Sequence, residues 1–456
     1  MRIRKIVWCI AIFLLIVFQI GCKARYNDKK HNGVAVENGL QNQEDVEDKI
    51  RLRFCWWGNE DRHLSTLSAL NLYMEEHPNV EIKCEYMGWD GYYEKLIAQM
   101  MSGTAPDIMQ IDPSWMMNCW QMKEKFVNFR DQSVIDMSLF QAYDEMLNMY
   151  SAKDGYLIGL PTGINFTTLY VNGDLAEEIG LDLSVPFSWE KVLSDGKKVQ
   201  EYDSEMYLLS SNEIGAVFFF FDTYLQNRIG NYIINDDFSL GFTYEDVYET
   251  FCFLKMLYDQ KIISPYNEMI TLQNIWEGSS LQKGKVVAVQ QMSSNNMSAK
   301  AAFPNCVYCV PVGNPNAQNT GYILRPTNFY SVSATSKNQQ EALEIVNFLY
   351  TDERAIDLLG LCRSLPVTDT AWKRMKEQKR IPEGLEEVFL FIKDHKGEAN
   401  SNLASMRSEF MAIEYDEFSK LYYGELSPEE AALEFMERMQ RKADDLKRRM
   451  EKNFRS

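Results

Sequence analysis

Histidine is scarce in this sequence, and the short motifs that usually mark enzymes are missing. Four histidines occur in 456 residues, at His31, His63, His77 and His395, and none sits with cysteine or carboxylate residues at metal-ligand spacing. There is no GxGxxG or other glycine-rich phosphate loop, no HExxH and no GxSxG. We therefore predict no metal, no cofactor and no catalytic residue. The 65 acidic residues leave a carboxylate pair for glycoside hydrolysis possible.

Positive charge is also in short supply. The chain has 47 lysines and arginines against 65 acidic residues, which gives a formal net charge of −18. A nucleic-acid-binding protein would carry a basic face, and a protein lying flat on anionic lipid would need one too. The composition therefore argues against both kinds of partner.

Cysteines are too few and too scattered for a disulfide framework. Outside the first 22 residues there are seven, an odd number, and the Cys306-x-x-Cys309 pair has no second CxxC and no nearby histidine. We predict free, buried thiols in a strand rather than a zinc or redox site.

Only one long apolar run exists, and it stands at the start. The basic head "MRIRK" precedes "IVWCIAIFLLIVFQI", which is short for a membrane-spanning helix, and Gly21-Cys22 follow. This junction resembles the lipobox of bacterial lipoproteins, with Gln19 where leucine is usual. We therefore predict a signal peptide over 1–21, lipidation at Cys22 and a polar, flexible tether over 22–50. An uncleaved signal anchor is the alternative; either way the body lies outside the cytoplasmic membrane.

The body of roughly 400 residues exceeds what one core usually holds, so two domains are expected. Its patterns alternate between strands such as "IRLRFCWW", "VEIKCEYM" and "PDIMQID" and helices such as "RHLSTLSALNLYMEEHP" and "WDGYYEKLIAQMMSG". "AVFFFFDTYLQ" predicts a buried helix or strand. This alternation is typical of α/β folds with parallel sheets and helices on their faces.

Aromatic residues cluster beside the predicted strand ends. Trp56 and Trp57 end the first strand, Trp89 precedes a helix with two tyrosines, and Trp115 follows "IDP". Ligands of open α/β sheets bind beyond the carboxyl ends of the strands, and a flat ring beside polar groups suits the C–H face of a sugar. Core packing explains most of these rings, but those in strand-end loops are the candidates for ligand stacking.

Several segments, taken in order, resemble the bacterial extracellular solute-binding proteins of carbohydrate ABC importers, the maltodextrin-binding-like group. These segments are "WWGNEDRHLSTLSALNLYMEEHPNVEIKCEYMGWDGYYEKLIAQMMSGTAPDIMQID", "YLIGLPTGINFTTLYVNGDLAEEIGLDLSVPFSWEKV", "SVSATSKNQQEALEIVNFLYTDE" and "LSPEEAALEF". The resemblance covers nearly all of the body.

The resemblance implies a two-lobed periplasmic-binding-protein-like fold. Each lobe is expected to be a mainly parallel sheet flanked by helices, with a hinge between the lobes and the ligand in the cleft. Crossings are expected near Leu160-Pro161, Val310-Pro311 and Tyr350-Thr351. The corresponding lobe boundaries are 51–160 with 311–350 for the first lobe, and 161–310 with 351–456 for the second.

The implied function is non-enzymatic. A monomeric, lipid-anchored receptor binds a carbohydrate and delivers it to the permease subunits of an ABC importer. Two alternatives stay open: a lipid-anchored polysaccharide-degrading enzyme, and a binding protein that serves a membrane sensor.

Seven residues are expected to contact the ligand by this resemblance and by their place at strand ends. Arg62 or Arg363 is suited to pair with a sugar carboxylate, which would admit an oligosaccharide containing uronic acid. The seven residues are Trp57, Arg62, Asp112, Trp115, Asn165, Glu213 and Arg363.

Overall fold

The computed structural model describes residues 49–211, 213–266, 275–395, 402, 404 and 408–453, without the side chains of 213 and 450–453. The predicted signal peptide, the lipidation site Cys22 and nearly all of the tether lie outside the described residues. Within the described ranges, no helix combines the length and apolar character needed to cross a bilayer.

Two separate sheets form the two lobes. The first has the strand order β2-β1-β3-β12-β6, and the second has the order β10-β7-β9-β8, with β11 also pairing with β7. The strands of the first lobe are β1 (Ile50–Trp57), β2 (Val80–Met87), β3 (Ile108–Ile111), β6 (Leu160–Pro161) and β12 (Phe329–Val332). Those of the second are β7 (Ile164–Asn172), β8 (Tyr207–Ser210), β9 (Val286–Met292), β10 (Cys306–Cys309) and β11 (Leu324–Pro326), while β4 (Ala152–Lys153) and β5 (Tyr156–Leu157) form a small hairpin.

Helices cover both sheets. In the first half of the chain they are α1 (Glu60–Glu76), α2 (Tyr92–Met101), α3 (Met116–Trp120), α4 (Asp144–Tyr150), α5 (Gly173–Ile179), α6 (Trp189–Tyr202), α7 (Glu213–Gly215), a π-helical segment (Ala216–Phe221) and α8 (Asp222–Ile229). In the second half they are α9 (Tyr244–Asp259), α10 (Ser279–Gln282), α11 (Asn296–Ala302), α12 (Gln339–Thr351), α13 (Glu353–Leu359), α14 (Asp369–Glu377), α15 (Glu383–His395), α16 (Ser408–Tyr423) and α17 (Pro428–Asn453).

The predicted two-lobed α/β fold is confirmed, but the sheets are mixed rather than mainly parallel. In the first lobe β1 pairs in parallel with β2 and β3, whereas β12 runs antiparallel to β3 and β6. In the second lobe β7 runs antiparallel to β9, β10 and β11, and only β8 and β9 are parallel. In each sheet the strand that runs against its neighbours, β12 in the first and β7 in the second, is the one that enters from the other lobe. Such a strand does not need the crossover helix that joins two parallel strands.

The chain crosses between lobes at positions that partly differ from those expected. The first crossing lies between β6 and β7, beside the expected Leu160-Pro161. The return expected near Val310-Pro311 lies instead between β11 and β12, because β11 still pairs with β7 of the second sheet.

The assignment of the whole segment 351–456 to the second lobe is wrong. Residues of α13, α14 and α15, among them Ile356, Met375 and Phe389, pack in the same apolar core as Leu52 and Phe54 of β1. Helices α13 and α14 therefore belong to the first lobe. Helix α15 lies against the second sheet, where the Phe389 ring contacts that of Phe166 on β7, with centroids 5.7 Å apart. The second lobe's own core takes the later helices, with Phe410 of α16 and Phe435 of α17.

The seven cysteines of the body are all free, among them Cys306 and Cys309, for which free thiols are predicted. Burial raises the pKa of the Cys55, Cys119 and Cys309 thiols to about 12 and that of Cys84 and Cys306 to about 11. At neutral pH these five thiols therefore stay protonated.

Candidate functional site

A cleft of about 640 Å³ lies between the two lobes. On one side it is lined by the loops that follow β2 and β3 of the first sheet. On the other side it is lined by the π-helical segment, the end of β9 and helix α16 of the second lobe. Its described lining comprises Trp89, Asp90, Gly91, Tyr93, Glu94, Asp112, Ser114, Trp115, Ile214, Phe218, Phe219, Gln291, Met292, Arg325, Ser408, Met411, Ala412 and Tyr415.

The first-lobe side carries an aromatic wall made of Trp89, Tyr93 and Trp115. The Trp89 and Trp115 rings stack with centroids 5.0 Å apart and planes inclined by 27°, and Tyr93 stacks on Trp115 at 4.7 Å. Trp115 is buried, while the Trp89 side chain is 42% exposed. The Trp89 ring is therefore partly accessible from the cleft and is supported by Trp115, which in turn stacks on Tyr93.

The second-lobe side forms an apolar wall made of Ile214, Phe218, Phe219, Met292, Met411 and Tyr415. Phe218 and Phe219 of the π-helical segment both line the cleft. Phe218 is only partly buried, whereas Phe219 is also part of the second core, together with Phe220 and Phe221. Helix α16 contributes Met411 and Tyr415, four residues apart and so on one face of the helix.

Polar groups are placed at the base of the cleft. Asp112 directly follows β3, and its carboxylate accepts hydrogen bonds from the Ser114 backbone N–H at 2.9 Å and from the Ser114 hydroxyl at 2.7 Å. The same oxygen lies 3.8 Å from Nη1 of Arg325 on β11. The Asp112–Arg325 ion pair therefore joins the first lobe to a strand that pairs with β7 of the second.

Two of the seven predicted ligand contacts, Asp112 and Trp115, line this cleft. Trp57 lies one layer behind, with its ring 5.0 Å from Trp115 and 5.3 Å from Trp89. Glu213 begins α7, just before the apolar wall, and its side chain is outside the described part of the chain.

Arg62 and Arg363 lie beside the hinge and do not line this cleft. Arg62 is half-buried and donates to the backbone carbonyls of Cys362 and Trp57. Arg363 is 4% exposed, and it donates to the Gln110 side-chain oxygen at 3.1 and 3.2 Å and to the Thr66 hydroxyl at 3.0 Å. Both arginines thus tie the loop 361–366 to the first lobe.

Asn165 belongs to a hydrogen-bond network at the hinge. Its side-chain oxygen accepts from the Ser293 hydroxyl at 2.9 Å and from the Ser294 N–H at 3.0 Å. Ser293 also contacts the hydroxyl of Ser364, which follows Arg363. The loop 361–366 is therefore bonded to the first lobe through Arg363 and to the second through Ser364.

The loop 361–366 approaches the first crossing very closely. A side chain at Gly163 would meet the Arg363 carbonyl oxygen at 2.1 Å, so only glycine fits there without a backbone shift. Ser364 adopts a φ of 68°, a conformation that costs a non-glycine residue about 1–2 kcal/mol. Such strain persists only where surrounding contacts hold it, as the bonds to Ser293 and the first lobe do here.

Several cleft residues were missed by sequence reasoning. Trp89 shows the same signal as Trp57, an aromatic ring just after a strand, and could have been chosen on that ground. Arg325 and the α16 residues Met411 and Tyr415 gave no local signal, because only the tertiary fold brings them to the cleft. Among the described residues, no group of three or more histidine, cysteine or acidic side chains is arranged to hold a metal ion.

The fold and the inter-lobe cleft define a ligand-capturing protein of the two-lobed class, and the chain belongs to the bacterial extracellular solute-binding proteins. The model of that family matches residues 69–383, more than half of the chain.

Some relatives match part of this chain in sequence. A protein of Brucella abortus described only as a binding protein is 23% identical over 287 residues, which cover 60% of this chain and 66% of that protein. The chain thus matches slightly less than two thirds of that relative's length. An arabinooligosaccharide-binding protein of Halalkalibacterium halodurans is 29% identical over 164 residues, 35% of each chain.

The fold also matches solved structures. A periplasmic oligogalacturonide-binding protein of Yersinia enterocolitica, in complex with saturated digalacturonic acid, superposes with a TM-score of 0.77 at 23% identity, covering 87% of this chain and 99% of that one. At this identity the likeness establishes the shared fold.

Proposed function

We propose that this chain is a lipid-anchored receptor on the outer face of the cytoplasmic membrane. It binds a sugar or oligosaccharide in the cleft between its lobes and delivers it to an ABC importer. The observation that carries the proposal is the aromatic wall, in which Trp89 presents an exposed ring beside the polar groups of Asp112, Gln291 and Arg325. Relatives named for arabinooligosaccharide and oligogalacturonide binding support it.

The proposed mechanism needs no covalent chemistry. A sugar ring packs its C–H face on Trp89, and its hydroxyls exchange water for fixed polar partners at the base of the cleft. Contacts with the apolar wall then favour the closed arrangement, because a ligand shifts a conformational equilibrium only by its different affinity for the two states. The closed receptor is the form that the permease recognises.

A binding screen tests the carbohydrate ligand. The mature body, from residue 49 onwards, is mixed with mono- and oligosaccharides, and its melting temperature is measured. A ligand that binds only the folded state raises the melting temperature, by an amount set by its concentration relative to Kd. Trp89→Ala should reduce the shift at a given ligand concentration, whereas Tyr202→Ala, at an exposed position on α6, should leave it unchanged. If none of the sugars raises the melting temperature of the wild-type protein, the proposal is wrong.

The anchor and the partner need separate experiments. Cys22→Ala should release the protein from the membrane fraction, since lipidation at that residue holds it there; retention would favour the uncleaved signal anchor. Cross-linking in cells should capture permease subunits, and capture of a sensor protein alone would support that alternative. Recovery of shortened oligosaccharide after incubation would instead establish the degrading enzyme.

A further inference from the structure

Two acidic side chains are buried behind the apolar wall of the second lobe. Glu414 lies on α16 between Met411 and Tyr415 of that wall and is only 4% exposed. Asp222 begins α8 directly after the π-helical segment, and its Oδ1 atom is out of contact with solvent. Helix α16 packs against the π-helical segment, and Asp222 is close enough for its charge to act on Glu414. The two carboxyls therefore lie where the main elements of the apolar wall meet.

Neither acid has a cationic partner in the described part of the chain. Oδ1 of Asp222 has no hydrogen-bond partner, and the only charge that acts on Glu414 is that of Asp222. Burial raises the pKa of Asp222 to about 8, and burial together with the charge of Asp222 raises the pKa of Glu414. Both side chains are therefore mainly protonated, and so neutral, at pH 7 and below.

The charged groups on the surrounding elements are engaged with one another. Lys420 and Arg438 pair with acids of α16 and α17. Arg228 of α8 lies 3.7 Å from Asp246 of α9. The described titratable side chains in contacts between α8, α9, α16 and α17 are Tyr224, Arg228, Asp246, Tyr258, Asp416, Glu417, Lys420, Tyr422, Glu434 and Arg438. None of them is among the causes that shift the pKa of either buried acid, so no described cation offsets a charge there.

We propose that Asp222 and Glu414 are positioning residues of the cleft: as neutral carboxyls they allow α16 and the π-helical segment to pack together, and their ionisation separates the two elements. A buried carboxylate without a partner loses its hydration with no compensating bond, so an opening that admits water relieves it. This opening moves the elements that carry Phe218 and Met411 and leaves the sheet behind them folded. A ligand held between the walls then binds more weakly above about pH 8, a consequence that rests on the proposed function.

Hydrogen exchange at two pH values tests the opening without a ligand. The chain from residue 49 onwards is labelled at pH 5 and pH 9, and the rates are corrected for the intrinsic pH dependence of amide exchange. We expect peptides from the π-helical segment and α16 to lose protection at least about tenfold at pH 9, because opening releases protons that the packed state retains. At that pH they should also exchange at least about tenfold faster than β7 and β9, since the sheet stays folded.

Variants of the two acids connect the opening to ionisation. Asp222→Asn should lessen the loss of protection at pH 9, and the double variant with Glu414→Gln should limit it to less than about threefold, because an amide cannot ionise. Asp259→Asn is the control: this exposed acid on α9 pairs with Lys255, and its removal should leave the loss unchanged. Infrared difference spectra of the wild type minus Glu414→Gln at pH 7 should show the C=O band of a protonated carboxyl.

Three results would overturn the inference. The first is equal exchange of the apolar wall and of β7 and β9 at pH 9, which would mean that the whole lobe unfolds together. The second is an infrared spectrum without that band, which would show that Glu414 is charged in the packed state. The third is protection at pH 9 that calcium chloride restores in the wild type but not in Asp222→Asn, because the pair would then hold a cation instead of protons.

Two sugar probes, arabinotriose and digalacturonate, keep this inference separate from the receptor function. For a probe that binds at pH 6, Kd should be at least about threefold larger at pH 9 in the wild type and unchanged in the double variant. An unchanged Kd in the wild type would show that the apolar wall does not hold the sugar. If neither probe binds, hydrogen exchange still decides about Asp222 and Glu414, so a failure of the receptor function is distinct from a failure of this inference.

Discussion

The two walls of the cleft are built differently. The wall of the first lobe consists of rings already stacked on one another, with Trp115 between Trp89 and Tyr93 and with Trp57 behind. The wall of the second lobe consists largely of flexible or half-exposed apolar side chains from α7, the π-helical segment, β9 and α16, such as Ile214 and Met411. Rigid rings lose little conformational entropy on binding, whereas methionine adapts its shape to what it meets.

Because of this difference, we expect the two lobes to respond differently when a ligand binds. In the proposed receptor, the first lobe would offer a preformed surface for the sugar, and the second lobe would adjust around the ligand as the cleft closes. Four predictions test the comparison between the lobes, from the largest expected effect to the smallest.

Removing the exposed ring of the first wall should harm binding most. We expect Trp89→Ala to cost about 2 kcal/mol of binding free energy, or roughly 30-fold in affinity, because a buried aromatic contact dominates such interfaces. Phe218→Ala in the second wall should cost only about fivefold, since its neighbours can fill the space. Calorimetry with the best ligand of the screen measures both. Equal losses would show that the two walls contribute alike.

The second lobe should lose stability as pH rises. Burial raises the pKa of Asp222 on α8 from its ordinary value of 3.8 to about 8, and burial together with the charge of Asp222 raises the pKa of Glu414 on α16. The folded state thus holds more protons than the unfolded state between pH 4 and 8, and stability falls through that range. Asp222→Asn should raise the free energy of unfolding at pH 8 by at least about 1.4 kcal/mol, the equivalent of one pKa unit.

Urea unfolding of this variant at pH 5 and pH 8 provides the measurement. The gain should be larger at pH 8, since the amide cannot ionise. Asp259→Asn, an exposed residue on α9, is the control and should change stability by less than about 0.5 kcal/mol at either pH. A gain of the same size at both pH values would contradict the assignment of the effect to ionisation.

The first lobe should show the opposite dependence on pH. Arg53 donates two hydrogen bonds, of 2.9 and 3.1 Å, to the carboxylate of Glu85 on β2 and lowers its pKa from 4.5 to about 2. The stability that this pair adds is present above pH 4.5 and is lost as pH falls towards 2. Glu85→Gln should therefore cost about 1 kcal/mol at pH 7 and less at pH 3.

The neighbouring Glu81 supplies a matched control. It is exposed and paired with Arg51, so Glu81→Gln should cost less than about 0.5 kcal/mol at pH 7. Urea unfolding at pH 7 and pH 3 measures the free energy of unfolding of both variants. If Glu85→Gln costs the same stability at both pH values, the loss comes from packing and not from the charge of the carboxylate.

The smallest effect is expected at the hinge that joins the lobes. Ser364→Ala removes the contact with Ser293 but keeps the strained backbone, and should cost about 1 kcal/mol of stability. Ser364→Gly loses the same contact but relaxes the positive φ, so it should be more stable than the alanine variant by several tenths of a kcal/mol. Thermal unfolding of the pair measures the difference, and alanine and glycine variants of equal stability would argue against strain at this residue.

Much of the fold was predictable from local pattern. The strands "IRLRFCWW" and "VEIKCEYM" match β1 and β2. Both contain β-branched or aromatic residues; burial alternates at the start of β2, whereas the last four residues of β1 are all buried. Ser188 caps α6 and accepts a hydrogen bond from the N–H of Lys191, as is usual for a serine directly before a helix. Local pattern does not tell which core an amphipathic helix joins, and for this reason the expected lobe of α13 and α14 is wrong.

The site was only partly predictable, for a related reason. Asp112 and Trp115 were found because they follow a parallel strand directly, where the backbone itself directs them to the cleft. Arg363 and Asn165 are polar and close to the hinge, but their bonds go to other protein groups, and nothing in the adjacent sequence distinguishes that from contact with a ligand. Arg325 reaches the cleft only because β11 pairs with β7.

The buried thiols matter for experiments that label this protein with a dye. Five cysteines whose pKa is about 11 or 12 react slowly with maleimides at neutral pH, so they need not be removed before site-specific labelling. Half-buried Cys252 on α9 is the one to replace first. A single cysteine introduced at Ile214, which is 43% exposed on the rim of the second lobe, could then carry an environment-sensitive dye. Lobe closure would change the dye's surroundings, turning the receptor into an optical sensor for its own ligand.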